Sequence, residues 1–285
     1  MGSFQSLMKS YINYNFISAS IVLYQNKEQD LIKLFNCFLN SSINVKIFVI
    51  DNSPTNRLRK CINEYKDIDY FLNPSNPGFG ASHNFAIKMA IEMGFKYHFI
   101  VNPDIFFECH AIEAMVLEMK NNNQIGMLMP KILNYDESIQ YLPKLLPSPL
   151  SLLLRKIKFP GKKYKNYIEK YELRDFSDKT ILNAPVLSGC FNVLNLNAIK
   201  HVGMYDDKYF MYFEDWDLSR RIHKYYKTQY FPIVSVFHAY DSGANKSLKL
   251  FVIFIKSAFY YFSKWGWFFD KDRKKINLAA LNQFK

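Results

Sequence analysis

Four short apolar runs, each closed by a polar turn, constrain this chain more than any other feature. Residues 16–24, 45–50, 70–72 and 97–101 have strand length and strand composition. Between the first three, Leu31, Leu34, Phe35 and Phe38, then Leu58, Cys61, Ile62 and Tyr65, recur at helical spacing. Strands that alternate with helices in this way predict an α/β fold on a mostly parallel central sheet. Such sheets bind ligands outside the carboxyl ends of their strands. Asp51, Asn76 and Asp104 each follow a predicted strand, so all three are expected to line one crevice.

A length of 285 residues allows one large domain or two small ones, and 49% hydrophobic with 17% aromatic content argues against disorder. The net charge of +12 calls for an anionic partner: nucleic acid, a membrane surface or an anionic substrate. Cys37, Cys61, Cys109 and Cys190 lie far apart without a Cys-x-x-Cys pair, which fits neither a zinc framework nor a disulfide scaffold and suits a reducing cytoplasm. Residues 1–16 carry no continuous apolar run, so no signal peptide is expected. The longest apolar stretch, residues 248–262, is interrupted by Lys249 and Lys256 and is too short to span a bilayer.

Three motifs sit at the predicted strand ends. Residues 76–84 form a Gly-rich turn that opens a helix; a dinucleotide fingerprint would need glycine at His83 and a place after the first strand. The turn therefore either borders a ligand or only satisfies backbone sterics. Asn102-Pro103-Asp104 offers one carboxylate, enough to hold Mg²⁺ or Mn²⁺ when phosphates supply further ligands, although such a tripeptide is usually just a turn. In residues 203–221, five carboxylates fall within twelve positions (Asp206, Asp207, Glu214, Asp215, Asp217), interleaved with six aromatic residues from Tyr205 to Trp216. Carboxylates framed by rings suggest a cleft where raised pKa values support proton transfer. The plainer reading is that Glu214, Asp215 and Asp217 open a helix at its positive end and that Asp217 pairs with Arg221 four residues on.

Residues 203–221 resemble, nearly position for position, the Gly-x-(Phe/Tyr)-Asp-(Glu/Asp)-x-(Phe/Tyr)-Phe-x-Tyr-x-Glu-Asp-x-Asp-Leu-x-x-Arg signature of inverting family 2 glycosyltransferases. The resemblance covers roughly residues 16–263 and implies a GT-A fold, that of nucleotide-diphospho-sugar transferases. It makes Asp215 the acceptor-activating base, with Glu214 beside it on the donor side. It places Asp51 at the nucleobase or ribose, Asn76 and Gly78 along the donor nucleotide, Asn102 near the ribose, and Gly189 near the donor sugar. Asp104 and His238 would hold Mg²⁺ or Mn²⁺, and Ser242-Gly243 follows His238 as the family pattern expects. Asn102 replaces the first Asp of the family's Asp-x-Asp motif, a variant found in its rhamnosyltransferase-like branch; Leu-Leu-Pro-Ser-Pro at 145–149 is reminiscent of the same group. The implied donor is a nucleotide sugar, dTDP-L-rhamnose favoured, and the implied acceptor a polyprenyl-diphosphate-linked saccharide of O-antigen, capsule or cell-wall glycan assembly. A donor carrying galactose, GlcNAc or fucose is the alternative.

The expected organisation is a catalytic domain over residues 1–245, with a basic, Pro-containing insertion at about 134–180, then a C-terminal amphipathic helical segment over 246–285. The insertion is either a solvated loop or a cover for the acceptor side. The C-terminal segment carries nine Lys or Arg against two Asp, and Leu248, Phe251, Val252, Ile255, Phe259 and Phe262 mark one helical face. Trp265, Trp267 and the basic residues 271–275 beside that face suggest an enzyme attached peripherally to the anionic inner face of the cell membrane; packing on the domain is the plainer use of such a face. A nucleic-acid-binding protein would explain the charge, but acids clustered at strand ends would repel phosphate. A sugar nucleotidyltransferase would show a Gly- and Arg-rich loop after the first strand, and residues 24–27 (Tyr-Gln-Asn-Lys) offer none.

Overall fold

The computed structural model describes residues 17–157, 161–174, 176, 179–239 and 247–283; residues 1–16 and Ser242-Gly243 lie outside them. The first run is strand β1 (Ile17–Leu23), buried on both faces as an interior parallel strand must be. Its two serines are tolerated there because each finds a histidine partner: Ser18 Oγ lies 2.8 Å from His98 Nδ1, and Ser20 Oγ lies 2.6 Å from His83 Nδ1. Helix α1 (Glu28–Leu39) follows, with Glu28 and Asp30 at its positive end and Leu31, Leu34, Phe35 and Phe38 buried. Then come β2 (Lys46–Asp51), a single turn α2 (Arg59–Ile62), β3 (Ile68–Leu72), α3 (Phe79–Glu92), β4 (Tyr97–Val101), the short β5 (Ile105–Phe107) and α4 (His110–Asn121).

The second half is less regular. Strand β6 (Ile125–Leu133) leads into a segment holding α5 (Pro149–Ile157) and α6 (Lys162–Tyr171), so the basic insertion, read from sequence as a solvated loop or a cover for the acceptor side, is in good part helical. Strands β7 (Leu182–Asn183) and β8 (Phe191–Asn195), helices α7 (Leu196–Val202) and α8 (Glu214–His223) and the long β9 (Lys227–His238) complete the sheet layer. The chain closes with α9 (Leu248–Trp265) and α10 (Lys271–Asn282).

The sheet order is β3-β2-β1-β4-β8-β6-β9-β5, with β7 also on β9. Neighbours are parallel from β3 through β4, β8 runs against both β4 and β6, and β9 is again parallel to β6. Six strands (β1, β2, β3, β4, β6, β9) therefore share one direction, and their carboxyl ends share one edge. Asp51, Asn102 and His238 all lie at that edge, as does the turn that precedes the reversed strand β8.

The C-terminal segment packs on the acidic stretch. Tyr261, Phe262 and Ala258 of α9 are buried against Tyr209 and Phe213. Beyond α9, Arg220 and Asp270 form a two-pronged ion pair, both bonds 2.7 Å, with each side chain 3% exposed. Helix α10 is clipped to the backbone of Leu146 by both amide atoms of Asn277, at 2.8 and 3.1 Å. Leu248, Val252, Ile255 and Phe259 of α9 remain exposed, whereas Phe262 is buried. No helix among the described residues is long and apolar enough to cross a membrane.

Candidate active site

Helix α8 begins after two consecutive left-handed residues, Tyr212 (φ +71°) and Phe213 (φ +69°). Bulky residues rarely adopt this conformation, and it is stored where packing over-determines it. Here Phe213, 2% exposed, is wedged among Trp216, Phe254 and Tyr261. The kink brings the start of α8 over the turn before β8.

There the Asp215 carboxylate receives the Gly189 backbone N–H at 3.1 Å and the Trp216 N–H at 2.9 Å. Burial raises its pKa to about 6, partly offset by those two N–H groups and by the Lys144 charge. A carboxylate so placed is a base poised near neutrality. Its neighbour Glu214 is 5% exposed, and its Oε2 has no hydrogen-bond partner among the described residues. Burial, then the Asp215 charge, drives its pKa well up.

The other three acids of the stretch are spoken for. Asp217, fully buried, accepts from Arg221 Nε at 2.9 Å, Trp265 Nε1 at 2.8 Å and Lys264 Nζ at 2.8 Å. Asp206 accepts from Tyr260 Oη at 2.9 Å and Lys264 Nζ at 2.8 Å, and Asp207 from Asn84 Nδ2 at 2.6 Å. These acids fasten the stretch to α9 and α3. Of the five, Asp215 is the acid that the described contacts tie to the Gly189 turn at the strand-end edge.

Asn102, Asp104 and His238 converge at the ends of β4 and β9. His238 Nε2 lies 3.3 Å from Asp104 Oδ1 and 3.4 Å from Asn102 Nδ2. Gln140 fixes the imidazole from behind: its Oε1 is 3.2 Å from Nδ1, and its Nε2 donates to the His238 carbonyl at 2.9 Å. The Asn102 N–H donates to the Cys190 carbonyl at 2.8 Å, one residue from Gly189. Burial pushes the Cys190 thiol up to about 12, and the charges of both Asp104 and Asp215 add to that rise. Asn102, beside the Asp104–His238 pair, and Asp215 thus bond neighbouring residues of the Gly189-Cys190 turn.

Asp51 lies farther along the edge, at the end of β2, fully buried; it accepts from the Ser53 N–H at 2.9 Å and from Tyr70 Oη at 2.8 Å. Strand β1 separates β2 from β4, so Asp51 stands about 10 Å from the Asn102 end by strand spacing alone. Asn76 (φ +44°) and Gly78 (φ +105°) form the turn beyond β3. A Cβ on Gly78 would come within 2.2 Å of the Phe210 carbonyl, which accepts the Phe79 N–H at 2.9 Å. This glycine lets the turn dock on the acidic stretch, and Asn84 completes the dock by bonding the Tyr205 N–H and carbonyl at 3.0 and 2.8 Å.

Two residues of the site escape a reading of local pattern. Gln140 lies in the insertion read from sequence as a solvated loop or a cover for the acceptor side. Lys144 is 5% exposed and donates to the carbonyls of Tyr141 at 2.7 Å and Leu142 at 3.2 Å. Burial, reinforced by the Arg155 charge, lowers its pKa to about 7 against the opposing pull of Glu172 and Asp215. A lysine between two prolines gives no periodic signal that it faces inward.

The family model for glycosyl transferase family 2 matches residues 18–203. Among curated proteins, the chain is similar to the N-acetylglucosaminyl-diphospho-decaprenol L-rhamnosyltransferase of Mycobacterium tuberculosis (strains CDC 1551 / Oshkosh and ATCC 25618 / H37Rv), 24% identical over 220 residues, covering 72% of this chain and 71% of that protein. Among solved structures, GalNAc-T7 with UDP, GalNAc and Mn2+ superposes with a TM-score of 0.58 at 13% identity, covering 80% of this chain and 44% of that one. S. aureus TarS superposes with a TM-score of 0.56 at 12% identity, covering 79% and 37%. The chain spans less than half the length of these two structures, and at such identity they speak for the fold. From the matched family, the strand order and the carboxylate at the head of α8, the chain belongs to glycosyl transferase family 2 and is a glycosyltransferase of the GT-A fold.

Proposed function

We propose that this enzyme transfers L-rhamnose from dTDP-L-rhamnose to a saccharide carried on a polyprenyl diphosphate, with inversion at the anomeric carbon. The observation that carries the chemistry is the Asp215 carboxylate, held by two backbone N–H groups, one from the Gly189-Cys190 turn that Asn102 also bonds beside the Asp104–His238 pair. The similar mycobacterial protein named as a rhamnosyltransferase on a diphospho-decaprenol carrier supports the choice of donor and acceptor.

In this reading Asp51 and the Asn76–Gly78 turn line the nucleoside end, and Asn102 lies near the ribose. Gly189, where a Cβ would press on Phe79 and Asp215, stands beside the donor sugar. An acceptor hydroxyl attacks the anomeric carbon and passes its proton to Asp215 Oδ. The new C–O bond forms as the bond to the diphosphate oxygen breaks on the opposite face, and dTDP departs with the electron pair.

One carboxylate and one imidazole 3.3 Å apart fit Mg²⁺ or Mn²⁺ when phosphate oxygens complete the shell. Among the described residues there is no cluster of three or more acid, His or Cys side chains to make a closed protein cage. Asp104 and His238 would hold the ion, which supplies charge neutralisation on the leaving diphosphate when bound.

The exposed Leu248, Val252, Ile255 and Phe259, with Lys249 and Lys256 on the same helix, support a peripheral place on an anionic membrane, on the cytoplasmic face in this reading. Flotation with phosphatidylglycerol vesicles at low salt checks this; a chain left in the soluble fractions counts against it.

The deciding experiment follows dTDP release when the purified chain meets a panel of nucleotide sugars with and without a lipid-linked GlcNAc acceptor. Rhamnose transfer from dTDP-L-rhamnose is expected, lost on chelation and restored by Mg²⁺ or Mn²⁺. Preference for another sugar nucleotide overturns the donor assignment, and full activity in excess chelator overturns the metal.

A further inference from the structure

A groove of about 780 Å³ opens between α6 and α10, away from the strand-end crevice. Its volume is that of a small-molecule site, far above a packing defect. Leu145, Leu146, Leu278 and Leu281 make an apolar floor, with the ring of Tyr167 along one side. Lys170, Lys271 and Lys274 stand at its mouth, all exposed and with no carboxylate partner among the described residues. The one acid in the lining, Asp270, is already engaged by Arg220 at 2.7 Å and by Arg273 at 3.9 Å. Field and floor together select the occupant: an inorganic anion leaves the apolar floor wet, and a neutral lipid leaves three lysines unanswered.

The groove also connects to the base. Leu145 and Leu146 follow Lys144, whose backbone pairs with Val186 through two hydrogen bonds of 3.0 and 3.1 Å. Three residues after Val186 comes Gly189, which donates to Asp215. An extended chain of that length spans about 10 Å. The groove floor and Asp215 are therefore joined by one short paired segment of chain.

We propose that this groove binds the isoprenoid phosphate part of the lipid-linked acceptor: the three lysines take the phosphate, and the leucine floor takes the first isoprene units. This rests on the acceptor class proposed above. The test uses farnesyl diphosphate below its micellar concentration, with inorganic pyrophosphate and farnesol as comparators, and the full chain titrated by calorimetry. Farnesyl diphosphate should bind at least about tenfold tighter than either comparator, and Leu278→Asp and the double variant Lys170→Glu/Lys274→Glu should each weaken it about tenfold or more. Leu278 is half exposed, and retained dTDP binding with an unchanged melting profile shows that the variants are folded. Equal binding by the variants, or pyrophosphate binding as tight as farnesyl diphosphate, overturns the proposal. So does displacement of farnesyl diphosphate by phosphatidylglycerol vesicles, which assigns the groove to the bilayer surface. If farnesyl diphosphate binds as expected but the chain uses a sugar nucleotide other than dTDP-L-rhamnose, the donor reading fails and the groove stands.

Discussion

Helix α8 has two acidic faces that look alike in sequence and differ in every physical respect. On the face toward α9, Asp217 accepts from a guanidinium, an ammonium and an indole N–H, and Arg220, on the same helix, is locked to Asp270. On the face toward Gly189, Asp215 has two backbone N–H groups and a pKa pushed up by burial, and beside it Glu214 has an oxygen with no partner among the described residues. The comparison teaches that acid content does not mark a catalytic group. The kind of donor separates them: Asp217 is fastened by charged side chains, whereas Asp215, the base in the proposed function, accepts hydrogen bonds from backbone N–H groups.

The largest expected effect breaks the face toward Gly189. Asp215→Asn should lower turnover about 10²–10⁴-fold with dTDP binding retained, because it removes the base and keeps the shape. Its effect on folding should be the reverse. A carboxylate whose folded pKa lies above its unfolded value loses stability as pH rises through about 4 to 6. At pH 7 the asparagine variant should therefore be as stable as the parent or more so, as read by urea denaturation.

The opposite face should respond the opposite way. Asp217→Ala removes the carboxylate shared by Arg221, Lys264 and Trp265; Lys264 keeps Asp206 and Arg221 keeps three backbone carbonyls, so the loss of stability should be about 2–3 kcal/mol. Turnover per folded molecule, measured in moderate osmolyte, should stay within a few-fold. A stable variant with no turnover would move Asp217 into the catalytic group and erase the contrast.

The smallest effect sharpens the Gly189 face further. The wild-type rate should fall on the acid side of about pH 6 as Asp215 takes up a proton. Lys144 favours the ionised form, so Lys144→Met should move that limb to higher pH; an unmoved limb would show that Lys144 is only a structural cation.

Much of this was legible in the chain. Strands β1 to β4 were visible because buried parallel strands are continuous apolar runs, and each ended at a turn that the topology then gathered on one edge. Strand β6 was not visible, although it lies between β8 and β9. Gly126 and Pro130 interrupt its apolar run, and Pro130 sits at a register shift against β9. Gly126 is there for tertiary reasons, since a Cβ would come within 2.5 Å of Ile222 Cγ2 on α8.

What the sequence determined by itself was the set of strand-end residues, the helix-opening acids and the amphipathic C-terminal face, because each is a pattern over a few neighbouring positions. Only the tertiary structure decided which acids are fastened. The donors that occupy Asp206 and Asp217 come from Tyr260, Lys264 and Trp265, some fifty positions along the chain. Lys144 likewise became a buried partner of Asp215 through the sheet-like pairing with Val186. Hydrogen-bond supply and desolvation depend on neighbours in space, and no local period encodes them.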